Sequence, residues 1–169
     1  MRFISTKGQV WTLDFIIGIV LFVLVGIVFY VYTINILPQQ RTFGQLEQDA
    51  ASIASGLVSA GFPLNWTPST VQSVGMSDGN GRLDTQKLVY LTSISYKDTR
   101  NYLGTSRHFV LFFEDKDGAP LTINGTTQYG KAGVTKSNVL SAESPDHLAT
   151  VYRLLFYNGQ IIRVGVYVW

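Results

Sequence analysis

A long uncharged apolar run near the N-terminus constrains this chain more than any other feature. The run extends from Phe15 to Leu37, and its clearly polar members, Thr33 and Asn35, lie at its far end. A helix of this length rises about 34 Å, which is enough for the ~30 Å hydrocarbon core of a bilayer with slight tilt. We therefore expect a helix that spans a membrane.

The residues before this run predict an anchor that stays on the mature chain. A secretory signal peptide has a shorter apolar stretch, with a small-residue cleavage site after it. Here the candidate processing point, Gly8–Gln9, precedes the apolar run, so that cleavage there leaves the anchor attached. Arg2 and Lys7 favour a cytoplasmic N-terminus, although Arg41 after the span opposes them. We expect a single-pass membrane protein whose C-terminal domain is extracytoplasmic.

The composition of the remaining part limits its function classes. Of 169 residues, roughly 130 follow the anchor, enough for one domain with its own core. The chain has 13 Lys and Arg and 11 Asp and Glu; Arg2, Lys7 and Asp14 precede Pro38, which leaves 11 basic against 10 acidic residues. This balance argues against electrostatic binding of nucleic acid. With no cysteine, the chain has no disulfide framework, thiolate chemistry or Cys-based zinc site.

Two acceptor sequons for N-glycosylation fit an extracytoplasmic domain. They are Asn65-Trp66-Thr67 and Asn124-Gly125-Thr126. Such tripeptides also arise by chance, and Pro68 makes the first a poorer acceptor.

A second helix is predicted directly after the span, with a bend at Pro38. It runs to about residue 61, where Gly61 and Pro63 stop it. Its apolar residues recur at intervals of three and four, which predicts a seam that packs on the chain's own globular domain. A bundle-forming coiled coil, which would need a longer repeat, is the alternative. The seam consists of Phe43, Leu46, Ala50, Ile53, Leu57 and Ala60.

The region after Phe62 predicts a head dominated by strands. Short helices are expected after the capping residues Asp84 and Ser95, the latter with Asp98 at capping-box spacing. Further segments are expected as strands joined by turns and loops. They are Val71–Val74, Arg107–Glu114, Pro120–Asn124 and one near Val134–Leu140.

The C-terminal residues predict a hairpin. Thr150–Tyr157 and Gln160–Val168 flank Asn158-Gly159, a dipeptide that favours a two-residue type I′ turn. That turn sets Leu155 opposite Ile162. It also pairs Val151 with Val166, Arg153 with Val164 and Phe156 with Ile161. Because both faces carry apolar groups, we expect the hairpin at the centre of the sheet, with one face against the amphipathic helix.

No residue pattern points to catalysis, a metal or a cofactor. His108 and His147 fall in no sequence motif with catalytic or metal-ligand spacing, and no nucleophile elbow or phosphate-binding loop is present. The Asp78–Asp84 loop alternates oxygen groups as some calcium loops do, but a solvated turn is the favoured interpretation because a distal Glu is missing. Trp66 is interpreted as a core residue, with a binding anchor as the alternative.

Lys7-Gly8-Gln9-Val10 before an uninterrupted apolar helix resembles the class III signal peptide of archaeal type IV pilins. The amphipathic continuation through Ala60 resembles the second half of the long pilin helix, and the C-terminal strands resemble the pilin head. A looser likeness to membrane-anchored pilin-like proteins of archaea lies in the run from Gly61 to Pro68. The resemblance implies that a prepilin peptidase cuts after Gly8, so that the mature chain starts at Gln9.

One residue departs from this family's pattern. The family usually carries an acidic residue fifth in the mature chain, where this chain has Leu13, and its acid is Asp14, the sixth. An ionised carboxylate at the edge of an apolar helix is costly unless it is paired or reaches the interface. In a filament, the freed amine of a neighbour's Gln9 would be such a partner. Alternatively, Asp14 lies among lipid headgroups at the helix start.

Taken together, these patterns predict an α+β, pilin-like chain: a hydrophobic-to-amphipathic helix packed on an antiparallel β-sheet head with one or two short helices. Its expected parts are a leader over 1–8, a membrane or filament-core helix over 9–37, an amphipathic helix over 38–61 and a head over 62–169. Gly18 and Gly26 are candidate positions for close helix packing. The expected partners are membrane lipid, prepilin peptidase and other pilin-like subunits, with no nucleic acid. The alternative is an uncleaved single-pass protein whose extracellular head binds a ligand or partner.

Overall fold

The computed structural model describes the backbone of residues 7–169 and the side chains of residues 13–33 and 44–169. The leader residues 1–6 and the side chains of Gln9, Pro38 and Phe43 lie outside this description. Helix α1 spans Lys7–Val58. The chain divides into two compact units, Met1–Thr42 and Phe43–Trp169.

The second unit, here called the head, contains three short helices and one antiparallel sheet of four strands in the order β2-β1-β4-β3. The chain is therefore α+β, as expected. The helices are α2 (Thr85–Ser93), α3 (Tyr96–Tyr102) and α4 (Val139–Glu143). The strands are β1 (Phe109–Glu114), β2 (Gln128–Gly130), β3 (Ala149–Tyr157) and β4 (Gln160–Val168).

The predicted seam of α1 packs into the core of the head. Leu46, Ala50, Ile53 and Leu57 are all buried, whereas Ala60 is partly buried. The four buried residues share one hydrophobic cluster with residues from one face of β1 and β4 and with two residues of β3. This packing confirms the amphipathic pattern between residues 46 and 57, because every fourth or third side chain reaches the sheet. The buried strand residues in this cluster are Phe109, Leu111, Phe113, Ala149, Leu155, Ile162, Val164, Val166 and Val168.

The opposite face of the sheet carries a smaller core. Val110 and Phe112 of β1 pack with Val134 and Val139, which belong to the segment that crosses this face. Gly165 of β4 lies beneath the Phe112 ring, and a Cβ at this position would collide with that ring. Burial on both faces explains why β1 reads as the continuous apolar run FVLFF.

The predicted C-terminal hairpin is present in the predicted register. Leu155 pairs with Ile162, Val151 with Val166, Arg153 with Val164 and Phe156 with Ile161. Its position differs from the prediction in one respect. β4 is central, but β3 is an edge strand, because the other side of β4 is taken by β1.

The two predicted short helices are confirmed with their caps. The Asp84 carboxylate accepts hydrogen bonds from the backbone N–H groups of Gln86 and Lys87 at the start of α2. The Ser95 hydroxyl accepts one from the N–H of Asp98 at the start of α3. Each cap satisfies N–H groups that have no partner within their helix.

Three predicted strands are wrong. The segment Pro120–Asn124 contacts the end of β1 only at an isolated bridge between Glu114 and Pro120. It does not continue as a strand there, because Pro120 has no N–H to donate to a sheet. The segment near Val134–Leu140 folds into turns and then α4, with the N–H of Thr135 bonded to the amide oxygen of Asn138. Val71–Val74 contributes a single bridge, between Phe62 and Ser73.

A buried lysine closes the end of α1. Lys87 of α2 is 4% exposed, and its ammonium donates hydrogen bonds to the carbonyl oxygens of Ala60 and Ser77, both at 2.8 Å. Nearby, the N–H groups of Met76 and Ser77 bond the carbonyls of Leu57 and Ser59. Three of these acceptors, the carbonyl oxygens of Leu57, Ser59 and Ala60, lie in the last turn of α1 or directly after it, where the helix itself supplies no donor.

Replacing Lys87 with methionine is expected to lower the free energy of unfolding by about 2 kcal/mol, because two carbonyl oxygens lose their donor while the volume is kept. Urea unfolding of the full chain in detergent, followed by tryptophan fluorescence, measures the change. Lys116→Met, at a side chain that is 82% exposed, is the control and is expected to have no effect. Equal stability of the Lys87 and Lys116 variants would contradict this role.

Candidate functional site

The main candidate surface is the apolar segment Leu13–Thr33 of α1, here called the apolar helix surface. The segment is long and apolar enough to cross a membrane. Within its own unit its large side chains are exposed, from 46% for Ile19 to 80% for Phe22. An uninterrupted apolar surface of this length is typical of a segment covered by lipid or by other protein chains.

Its polar atoms are few. The Thr33 hydroxyl donates to the carbonyl oxygen of Phe29 at 2.8 Å, four residues earlier on the helix. Its hydrogen-bonding capacity is thus used within the helix, which suits an apolar environment. Asp14 is exposed at the other end of the surface, where it is the one ionisable group before Tyr30. Its charge must therefore find water, a headgroup or a partner chain.

The two candidate packing glycines leave open space on this surface. A Cβ built at Gly18 or Gly26 meets nothing within 4 Å. Another helix can approach closely at such positions, since no side chain keeps the backbones apart. Their role in helix packing stays a prediction.

The candidate processing residues lie at the beginning of α1. Gly8 and Gln9 follow Lys7, the first residue of the helix, and the side chain of Gln9 is outside the description. Cleavage between them stays a prediction, as does the pairing of the Gln9 amine with Asp14.

Both sequon asparagines are exposed on the head. Asn65 precedes the buried Trp66, and Asn124 has φ 48° in a tight turn between Ile123 and Thr126. The N–H groups of those two flanking residues bond each other's carbonyl oxygens at 2.9 Å. An oligosaccharyltransferase can reach side chains in such positions. Glycosylation stays a prediction.

Trp66 is a core residue. It is 1% exposed, and its indole N–H donates to the carbonyl oxygen of Gly75 at 3.1 Å. The alternative interpretation of Trp66 as a surface binding anchor is therefore wrong.

The carboxylates of Asp78 and Asp84, at the two ends of the acidic loop, accept hydrogen bonds from nearby backbone N–H groups. Asp78 accepts the N–H groups of Asn80 at 2.7 Å and Arg82 at 3.2 Å, and the bond from Asn80 lowers the pKa of this carboxyl. Asp84 caps α2. These contacts agree with the interpretation as a turn. Within the described residues, no group of three or more His, Asp or Glu side chains is arranged to hold a metal ion.

His108 belongs to an aromatic cluster at the C-terminal strand. Its ring stacks on Tyr96, with centroids 6.2 Å apart, and lies 6.0 Å from Trp169. Burial, and then the positive charges of Lys131 and Arg100, lower the pKa of His108, while Glu143 opposes them. Glu143 itself pairs with Lys131, which lowers the pKa of Glu143.

These pKa directions predict that acid destabilises the head. The folded state favours neutral His108, so its contribution to stability is complete above about pH 6.5 and is lost as the pH falls toward its lowered pKa. The contribution of Glu143 is lost only at lower pH, below about 4.5. The melting temperature of the full chain is therefore expected to fall between pH 7.5 and 5.5, and to fall less for His108→Gln. The same decrease in both proteins would contradict this account.

Sequence reasoning missed an ion cluster around a buried carboxylate on the second face of the sheet. The Glu114 side chain is 3% exposed, pairs with Lys136 and lies 3.6 Å from Arg163. The pairing with Glu114 raises the pKa of Lys136. The β1–β4 register places Glu114 directly opposite Arg163. Predicting this ion pair would have required knowledge of the strand pairing, which local sequence patterns do not reveal. The cluster is best explained as a structural contact, because the buried carboxylate of Glu114 has two opposite charges beside it.

No protein-family model, curated protein or solved structure matches this chain.

Proposed function

We propose that this chain is a pilin-like structural subunit of an archaeal type IV filament, processed by a prepilin peptidase and assembled through its apolar helix surface. One observation carries the proposal. The same helix, α1, is apolar and exposed over Leu13–Thr33 and then provides the buried seam of a β-sheet head. Such an arrangement would join a membrane anchor to a head that we propose to be extracytoplasmic.

Assembly would exchange lipid contacts for contacts between helices. In a bilayer, lipid tails are as apolar as Leu or Ile side chains, so burying this surface against sister helices changes the hydrophobic energy little. Packing and specific polar contacts then decide the outcome. Gly18 and Gly26 would admit close approach, since a Cβ at either position would meet open space.

Asp14 would supply the specific polar contact. Its carboxylate is exposed at the N-terminal end of the apolar helix surface. Processing after Gly8 would create a free amine on Gln9, and a neighbour's amine beside Asp14 would neutralise a charge that is costly in an apolar core. Because this match forms in one axial position only, it would set the register between subunits.

Processing can be tested directly. The full chain is co-expressed with an archaeal prepilin peptidase, and its intact mass is measured after purification from membranes. We expect the loss of residues 1–8, which leaves Gln9 as the first residue. Gly8→Val, the control, is expected to keep Met1, because the peptidase cuts after glycine. A chain that keeps Met1 in both proteins would support the alternative, an uncleaved single-pass protein with a binding head.

A further inference from the structure

An open cleft of about 710 Å³ lies on the head beside the β3–β4 turn. Its walls come from two separate segments, the loop that precedes α2 and the hairpin tip. Residues in its lining include Asn80, Arg82, Thr85, Phe156 and Asn158. It is larger than the 460 Å³ cleft beside Glu114.

Backbone hydrogen bonds fix the two walls against each other. The N–H of Phe156 donates to the carbonyl oxygen of Gly81 at 2.9 Å, and the N–H of Leu83 donates to that of Phe156 at 2.8 Å. The Asp78 carboxylate also stabilises the loop, because it accepts hydrogen bonds from the backbone N–H groups of Asn80 and Arg82. A ligand that enters this cleft therefore meets a site that is already formed, which reduces the entropy lost on binding.

Several polar groups around the cleft remain available. Across the described side chains, the Arg82 guanidinium, the Thr85 hydroxyl and the Asn158 amide donate no hydrogen bond, although the charge of Arg82 acts on the Asp78 carboxylate and helps to lower its pKa. Phe156 is 53% exposed and is one of the residues that line the same cleft. No carboxylate is among the lining residues, and the nearby carboxylates of Asp78 and Asp84 already accept backbone N–H groups. The lining thus has a positive charge, an aromatic ring and neutral hydrogen-bonding groups.

We propose that this cleft binds a sugar that bears a carboxylate, such as a uronate unit of an acidic polysaccharide. A sugar ring offers C–H groups that can pack on the ring of Phe156, and hydroxyls that can bond Thr85 and Asn158. The Arg82 guanidinium matches a carboxylate with two parallel hydrogen bonds, a geometry that a neutral sugar does not use. The proposal does not depend on whether the chain forms filaments.

The probes are trigalacturonate and the matching neutral galactose trimer, each titrated into the full chain in nanodiscs and followed by saturation-transfer NMR. We expect trigalacturonate to bind and the neutral trimer to bind about tenfold more weakly, which corresponds to the loss of one charge-assisted contact. Arg82→Gln is expected to remove this preference. Phe156→Ala is expected to abolish saturation of the sugar ring protons, and Phe156→Tyr to retain it.

Lys116→Gln is the matched control, because it also removes one positive charge, from a side chain that is 82% exposed at another turn. It is expected to leave the affinity unchanged. The proposal is overturned if neither trimer binds, if both bind equally, or if Arg82→Gln and Lys116→Gln weaken binding alike. Processing at Gly8 is measured in a separate experiment. A negative result in the sugar-binding experiment therefore does not contradict the filament proposal.

Discussion

Trp66→Ala is expected to lower the free energy of unfolding of the head by about 3–5 kcal/mol. Trp66 is among the largest fully buried side chains of the described residues. Its removal leaves a cavity next to Tyr90, whose ring centroid lies 5.9 Å from that of Trp66, within the hydrophobic cluster that also contains Leu57 and Met76. It also leaves the carbonyl oxygen of Gly75 without the indole donor.

The space around Trp66 has little capacity to collapse. A Cβ at Gly61 would lie 2.6 Å from the indole nitrogen, and Gly75 lies so close to Ser59 that a Cβ there would collide with its carbonyl oxygen. The backbone on both sides is therefore already in contact, and relaxation into the cavity is restricted. Such sites fall at the costly end of large-to-small substitutions.

Urea unfolding of the full chain in detergent, followed by circular dichroism, measures this effect. Leu64→Ala is the matched control, because Leu64 is 56% exposed two residues earlier, and its effect is expected to stay within about 0.5 kcal/mol. A Trp66→Ala protein that unfolds at the same urea concentration as the Leu64→Ala protein would contradict the assignment of Trp66 to the core.

Val23→Arg is expected to release the protein from membranes. Val23 lies at the middle of Leu13–Thr33, where an arginine costs about 2.5–3.5 kcal/mol in membrane insertion. That cost corresponds to a change of about 100-fold in the insertion equilibrium. In the proposed filament the same charge would be buried among apolar helices without a partner, so assembly is also expected to fail.

The measurement is the fraction of protein that sediments with membranes after carbonate extraction, together with the yield of surface filaments. Val23→Leu, which keeps the apolar character, is expected to behave as wild type. Full membrane retention and normal filament yield of Val23→Arg would contradict the proposed role of this surface.

Local patterns in the sequence predicted those parts of the fold that local physics decides. The spacing of Leu46, Ala50, Ile53 and Leu57 identified the buried face of α1, because only one face of a helix reaches the sheet. Asn158-Gly159 fixed the hairpin register, since a two-residue turn leaves one pairing available.

Contacts between distant segments could not be predicted in this way. β1 inserts beside β4, which moves β3 to the edge of the sheet, and nothing within either strand specifies that neighbour. The same pairing buries Glu114 opposite Arg163. Lys87 has the sequence context of a surface helix residue, yet it is buried, because its ammonium donates a hydrogen bond to the carbonyl oxygen of Ala60 after the end of α1. The cleft beside Phe156 likewise exists only because the loop at residues 81–83 bonds the hairpin.

The most direct test of the central claim is to shear filaments from the surface of archaeal cells that express this chain, and to determine their subunit's N-terminus and structure by mass spectrometry and cryo-electron microscopy. The account predicts filaments whose subunits begin at Gln9 and whose core consists of packed Leu13–Thr33 helices. Recovery of the chain only from the membrane fraction, with Met1 or Arg2 still attached, would contradict it.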